Sequence, residues 1–138
     1  MSSPALKITV WALRIIAAVI MLQTLYFKFT AAEESVYIFT KLNLEPTGRL
    51  GIGVLELIAS ILILIPKTTV YGAVLGLGLM SGALFFHLTK LGIVVMDDGG
   101  QLFIYALLVF VASLALVIIF RKTLFNLLNF LKPKSIAQ

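Results

Sequence analysis

Four long apolar runs constrain this chain more than any other feature of its sequence. They cover about residues 6–29, 47–65, 69–91 and 101–120, and each is close to the ~20 residues that a helix needs to cross a bilayer. Hydrophobic residues make up 61% of the chain and charged residues 12%, against roughly 45–50% and about 25% in soluble domains. The sequence therefore predicts an all-α integral membrane protein, a four-helix transmembrane bundle in one domain over residues 1–138.

The polar connections predict further elements. Residues 30–46 hold Glu33-Glu34-Ser35 followed by apolar residues, which favours a short interfacial helix that ends before Pro46. Asp97-Asp98-Gly99-Gly100 is a turn signal. The tail at 121–133 is amphipathic, with basic flanks, and predicts either a helix on the headgroups or a continuation of the fourth span.

Charge distribution predicts the orientation in the membrane. Four spans place both ends of the chain on one side, where seven basic residues fall: Lys7, Arg14, Lys67, Arg121, Lys122, Lys132 and Lys134. Four fall on the other side: Lys28, Lys41, Arg49 and Lys90. The positive-inside rule then puts both termini in the cytoplasm. Arg14 lies inside the first run, and we expect it to snorkel toward the cytoplasmic headgroups.

The composition also excludes several kinds of site. The chain has no cysteine, which excludes thiol chemistry and Cys-ligated metal centres. With one histidine and six acidic residues, we expect no metal site. The basic residues lie at the ends of apolar segments and form no stripe with exposed aromatics, so no nucleic-acid partner is expected.

One carboxylate, Glu56, lies inside the second apolar run, where an intramembrane charge costs ~2.5–3.5 kcal/mol. Its candidate partners are Lys28, at the end of the first run, and His87, near the end of the third. Helical periodicity of 100° per residue places Glu56 and His87 on faces of small residues, which pack against other helices while large aliphatic faces meet lipid. At the same predicted depth lie Gln23, Gln101 and Tyr105.

This polar cluster has two interpretations. It is either a structural ion pair that fixes the helices, with His87 and Tyr105 in the interfacial region, or a ligand site. A lysine-paired carboxylate and an imidazole suit a polar headgroup such as a quinone carbonyl or a lipid phosphate, and histidine could also pass a proton. No nucleophile–base pair or nucleotide fingerprint is present, so an enzyme that acts alone is not expected and no catalytic residue is assigned. In the third run, Gly72-x-x-x-Gly76 and Gly78-x-x-x-Gly82 have the spacing of close helix contacts.

Several residues resemble a known family. They are Arg14 early in the first span, Tyr26-Phe27-Lys28-Phe29 at its end, Gly51-x-x-x-x-Glu56-Leu57 in the second span and Ala83-x-x-x-His87 in the third. Over about residues 8–120 the chain resembles the DoxX family of small four-helix membrane proteins. It departs from the family at Leu25, where a glycine is common, so packing near Lys28 is expected to differ.

The resemblance implies a bacterial-type plasma (inner) membrane protein and favours a redox or quinone partner. We therefore expect a membrane subunit of a redox complex, with a quinone or lipid-like ligand bound by Lys28, Glu56, His87, Gln23, Gln101 and Tyr105. Two alternatives stay open. One is a non-catalytic assembly protein whose glycine-rich third span contacts a partner or another copy of the chain, and the other is a small oligomeric transporter.

Overall fold

The computed structural model describes residues 3–132. Helices account for 82% of this part of the chain, in which no residue belongs to a strand. The helices are α1 (Pro4–Phe29), α2 (Glu33–Lys41), α3 (Thr47–Leu64), α4 (Thr69–Phe86), α5 (Gln101–Ile119) and α6 (Arg121–Leu131). A π-helical turn at His87–Leu91 extends α4. Four helices, α1, α3, α4 with this turn, and α5, are long and apolar enough to cross a membrane, so the predicted fold class is confirmed.

The four long helices form a ring in which each packs against two neighbours, in the order α1, α3, α4, α5 and back to α1. Small residues make the inner contacts, and the following are fully buried or nearly so: Ala17, Ala18, Ala59, Ala73 and Ala112. Large aliphatic side chains cover the outside, among them Ile8, Val19, Ile61, Ile104 and Val111. This is the predicted division between helix-facing and lipid-facing surfaces.

At the end of the bundle that holds the N-terminus of α1, helices α3 and α4 pack closely. A Cβ atom on Gly72 would lie 2.7 Å from the Ala59 carbonyl oxygen and 2.6 Å from the Ile63 backbone nitrogen. Only glycine allows this approach. The hydroxyl of Thr69 donates to the Ile63 and Ile65 carbonyls, at 3.1 and 3.0 Å. We call this region the closed end.

Arg14 belongs to the closed end, and the prediction that it snorkels to the headgroups is wrong. Its side chain is buried; Nε donates to the Ile63 carbonyl at 2.8 Å, and a terminal nitrogen donates to the Leu64 carbonyl. The guanidinium also lies 3.7 Å from the centre of the Trp11 ring. Arg14 therefore satisfies the free carbonyls at the C-terminus of α3, where the helix dipole favours a positive charge.

The connections at the opposite end of the bundle are ordered. The short helix predicted between the first two spans is present as α2, and the predicted turn around Asp98 begins α5.

The tail forms a separate helix, α6, because the chain leaves helical geometry at Phe120. No described residue of α6 is buried, and Pro133 and Lys134 lie outside the described residues.

Candidate ligand cavity

A cavity of about 670 Å³ lies within the ring, toward the end away from the chain termini. All six residues predicted as a ligand site line it: Gln23, Lys28, Glu56, His87, Gln101 and Tyr105. The helices bring them together because α1 and α4 end in this region while α3 and α5 begin there. The volume is within the ~300–1,000 Å³ of typical small-molecule sites.

The charged centre of the cavity is the pair predicted from sequence. Lys28 Nζ lies 3.0 Å from Glu56 Oε2, and Glu56 is only 4% exposed. The ammonium thus compensates the carboxylate's charge. A carboxylate offers several acceptor sites on its two oxygens, and one ammonium does not use them all.

The end of α1, which carries Lys28, is fixed to α3 by Arg49. This side chain is buried; it pairs with Glu45 at 2.8 Å and donates a hydrogen bond to the Lys28 carbonyl. Beside it, a Cβ atom on Gly53 would lie 2.8 Å from the Phe29 ring, so the two helices are in close contact. The backbone that presents Lys28 to Glu56 is therefore rigidly positioned.

His87 lies at the junction of α4 and the π-helical turn, and its side chain is buried, which contradicts the alternative of a solvated interfacial histidine. Nδ1 lies 2.9 Å from the Gly92 carbonyl oxygen, and the Phe103 ring packs edge-on against the imidazole. Because a carbonyl only accepts, Nδ1 carries the proton and the neutral ring has its lone pair on Nε2. His87 therefore offers an acceptor when neutral and a second donor only when protonated.

The amide predicted on α5 is held by its neighbour. Gln101 Nε2 donates to the Tyr105 hydroxyl at 2.8 Å, which lies one helical turn away. Because a hydroxyl both donates and accepts, the Tyr105 proton stays available to another acceptor. Tyr105 lines the cavity, whereas Tyr26 is 68% exposed on the outer surface.

Helix α2 contributes cavity residues that the sequence analysis missed. Glu34, Ser35, Ile38 and Phe39 line the polar end of the cavity. Their spacing of i, i+1, i+4 and i+5 marks one face of a helix, and this signal could have been used to find them. Oε1 of Glu34 has no hydrogen-bond partner among the described residues, and burial, with a contribution from Asp98, raises the pKa of this carboxyl.

Asp98 fixes the loop between the π-helical turn and α5. One carboxylate oxygen accepts from the Val95 and Gly100 backbone nitrogens at 3.0 and 2.8 Å, and the other accepts from Leu102 at 3.1 Å. Burial by itself would raise the pKa of Asp98, but these three hydrogen bonds and the nearby His87 hold the pKa below its ordinary value. The ionised carboxylate thus caps α5 and orders one wall of the cavity.

Away from the charged pair the cavity is apolar. Its deeper wall consists of Leu75, Leu79, Met80, Ala106 and Val109. No cluster of residues with metal-binding side chains occurs in the described part of the chain. The shape and chemistry suit a molecule with a polar head and a hydrocarbon body.

Comparison with known proteins gives one match. The model of the DoxX-like family matches residues 12–116. No curated protein and no solved structure matches the chain. The match covers α3 and α4 completely and most of α1 and α5, and it includes all six predicted cavity residues. The chain is therefore a multi-pass membrane protein that belongs to the DoxX-like family.

Proposed function

We propose that this protein binds a quinone or a lipid-like molecule in the cavity, as the membrane subunit of a redox complex. The observation that carries the proposal is the buried Lys28–Glu56 pair, whose two residues line the polar end of an apolar cavity. The acceptor sites of the carboxylate that Lys28 does not use suit a donor supplied by a ligand.

The hydrogen-bonding groups at the polar end of the cavity limit which headgroups the ligand can have. A quinone carbonyl only accepts, so Lys28 would be its partner. The hydroxyl of the reduced form, a quinol, donates and matches the remaining acceptor sites of the Glu56 carboxylate. His87 Nε2 could accept from a second hydroxyl, and Tyr105 could donate. Glu56 thus favours the quinol form, and a lipid with a hydroxyl or ammonium headgroup has the same complementarity.

A redox role requires a partner, because the cavity holds no group that accepts electrons by itself. The resemblance of the chain to a family linked with redox complexes supports such a partner, and a homo-oligomer is the other assembly that we consider. We also propose a plasma (inner) membrane location with both termini in the cytoplasm, which rests on the positions of the basic residues. Protease accessibility of a C-terminal epitope in sealed vesicles tests this orientation.

The proposed ligand site is tested with Glu56→Gln in purified protein in nanodiscs. The probes are decylubiquinol, kept anaerobic, decylubiquinone and dioleoylphosphatidylglycerol. We expect quinol affinity to fall about 10–100-fold, which corresponds to the loss of one hydrogen bond to a charged group, and quinone affinity to fall less. The matched control is Glu33→Gln, an exposed carboxamide substitution on α2 that does not line the cavity.

The outcomes distinguish a quinone-type ligand from a phospholipid. Binding of the quinol with a strong Glu56→Gln effect supports a quinone-type ligand. Binding of the phospholipid alone, with the same effect, assigns a lipid to the site. Equal affinity of wild type and Glu56→Gln for every probe, or no binding of any probe, contradicts the proposed function.

A further inference from the structure

The cavity is not confined to the inside of the ring, because it continues along the contact between α3 and α4. Among the α4 residues that line it are Val74, Gly78 and Gly82. Gly76 marks the inward direction of α4, since its Cβ position lies 3.1 Å from Ser113 on α5. At ~100° per residue, Gly78 points about 160° away from Gly76 and Gly82 about 120° away. The lining therefore reaches the outer, lipid-facing side of α4.

The direction of this extension is toward α3. Gly72, which contacts α3, is turned by ~40° from Gly76, in the same sense as Gly82. On α3 the cavity is lined by Ile52 and Glu56. Ile52 precedes Glu56 by one turn and lies on the side of α3 that carries Ala59, the residue that contacts Gly72. We call the space between Ile52, Glu56, Gly78 and Gly82 the α3–α4 seam.

The surroundings of the glycines differ between the α3–α4 seam and the closed end. A Cβ atom on Gly72 would meet backbone atoms at 2.6 and 2.7 Å, whereas Cβ atoms on Gly78 and Gly82 would have no described atom within 4 Å. Gly72 therefore faces a packed helix, whereas Gly78 and Gly82 face open space. The spacing of these two glycines predicted a helix contact, but among the described residues their Cβ positions meet no other helix.

We propose that the α3–α4 seam holds the hydrocarbon chain of the bound ligand and opens the cavity sideways to the bilayer. This inference rests on the proposed function and adds the ligand's shape: a single long chain attached to a head with a hydroxyl. The head binds Glu56 at the inner end of the seam, and the chain passes between Ile52 and the two glycines into the lipid. The glycines keep the passage wide, because any larger side chain at their positions fills it.

The Glu56 carboxylate binds the head of the ligand, and the apolar α3–α4 seam holds only its hydrocarbon tail. Val74, Ile52 and the backbone of the glycines offer no charged group to the chain. In a bilayer this surface cannot stay empty, so a hydrocarbon chain covers it with no loss of hydrogen bonds. A transmembrane helix of a partner or a second copy is the competing occupant, because glycines at this spacing also accept helices.

The test compares a tailed probe with a tailless one in nanodiscs. The probes are decylubiquinol and 2,3-dimethoxy-5-methyl-1,4-hydroquinone, both anaerobic. In Gly78→Leu and Gly82→Leu we expect decylubiquinol affinity to fall at least tenfold and the affinity for the tailless probe to stay within twofold. The control is Gly51→Leu, since Gly51 also has no described atom within 4 Å of its Cβ position but does not line the cavity. Gly51→Leu should change neither affinity.

Each other outcome overturns the inference. Equal losses for both probes place the glycines at the head site, and unchanged affinities show that the tail lies elsewhere. A changed oligomeric state on chemical cross-linking, with quinol affinity retained, assigns the seam to a helix. If Glu56→Gln loses affinity for both probes while the glycine variants lose affinity for neither, the proposed role of the α3–α4 seam is wrong and the proposed function stands. Thermal unfolding of each variant checks that the bundle is folded.

Discussion

The two ends of the bundle bury charge in opposite ways. At the closed end, Arg14 is 3% exposed, and its guanidinium donates to two carbonyls at the end of α3. At the cavity end, Glu56 is 4% exposed, is paired with Lys28 and lines the cavity. Burial is nearly equal in the two places, but only Glu56 has open space beside it.

The difference between the two ends indicates which buried charge is a candidate for function. Both residues are single charges inside apolar helices, and an intramembrane charge is a functional hypothesis by default. Arg14 completes the C-terminus of a helix and does not line the cavity. Glu56 borders the cavity, and Lys28 does not use all of its acceptor sites. A buried charge beside open space is thus a stronger indication of a ligand than burial alone.

The largest loss of stability is expected for Lys28→Met. The substitution leaves the Glu56 charge buried without compensation, and we expect a loss of about 3–5 kcal/mol in the free energy of unfolding. Adding Glu56→Gln removes the uncompensated charge and should recover most of the loss. Unfolding midpoints in detergent measure both. A double variant no more stable than Lys28→Met would mean that the pair is not electrostatically coupled.

The second effect concerns the closed end. Arg14→Met leaves the Leu64 carbonyl without its donor and the Ile63 carbonyl with Thr69 alone. We expect a loss of about 2–3 kcal/mol, since one hydrogen bond to a charged group contributes ~1.5–3 kcal/mol. Ligand affinity of the folded fraction should not change. The control is Arg121→Met, because Arg121 is exposed and donates to a single carbonyl. A loss of ligand affinity in Arg14→Met would break the distinction between the two ends.

The smallest effect is expected at the turn that begins α5. Asp98→Asn weakens three backbone hydrogen bonds, and we expect a loss of about 1 kcal/mol at neutral pH. Because the pKa of Asp98 is lowered in the fold, its stabilisation is full above the ordinary aspartate pKa and disappears as pH falls through the lowered value. The difference from wild type should therefore shrink in strong acid.

The neighbouring Asp97→Asn is the control for this turn. Asp97 has a positive φ of 59° and is exposed, and asparagine tolerates that conformation as well as aspartate does. Its unfolding midpoint should match wild type at every pH. An equal effect of both substitutions would mean that net charge, and not the cap, determines the stability of the loop.

Sequence reasoning predicted the fold and the Lys28–Glu56 pair, because helix length, periodicity and the cost of an intramembrane charge are local properties. It was wrong about Arg14, since a long side chain near one headgroup region also reaches the free carbonyls of an adjacent helix, and only the packing decides between them. It missed Glu34 because a short amphipathic helix does not reveal which surface it covers. Binding of a ligand by the six predicted residues stays a prediction.

The contact of Gly72 with α3 has a mechanical consequence. A short loop and this contact hold α3 and α4 together at the closed end. Gly82 lies ten residues further along α4, which is ~15 Å at 1.5 Å per residue. A rotation of α4 by about 5° about Gly72 would therefore displace that point by ~1.3 Å. A small change of angle at the closed end thus becomes a larger displacement where the ligand would pass.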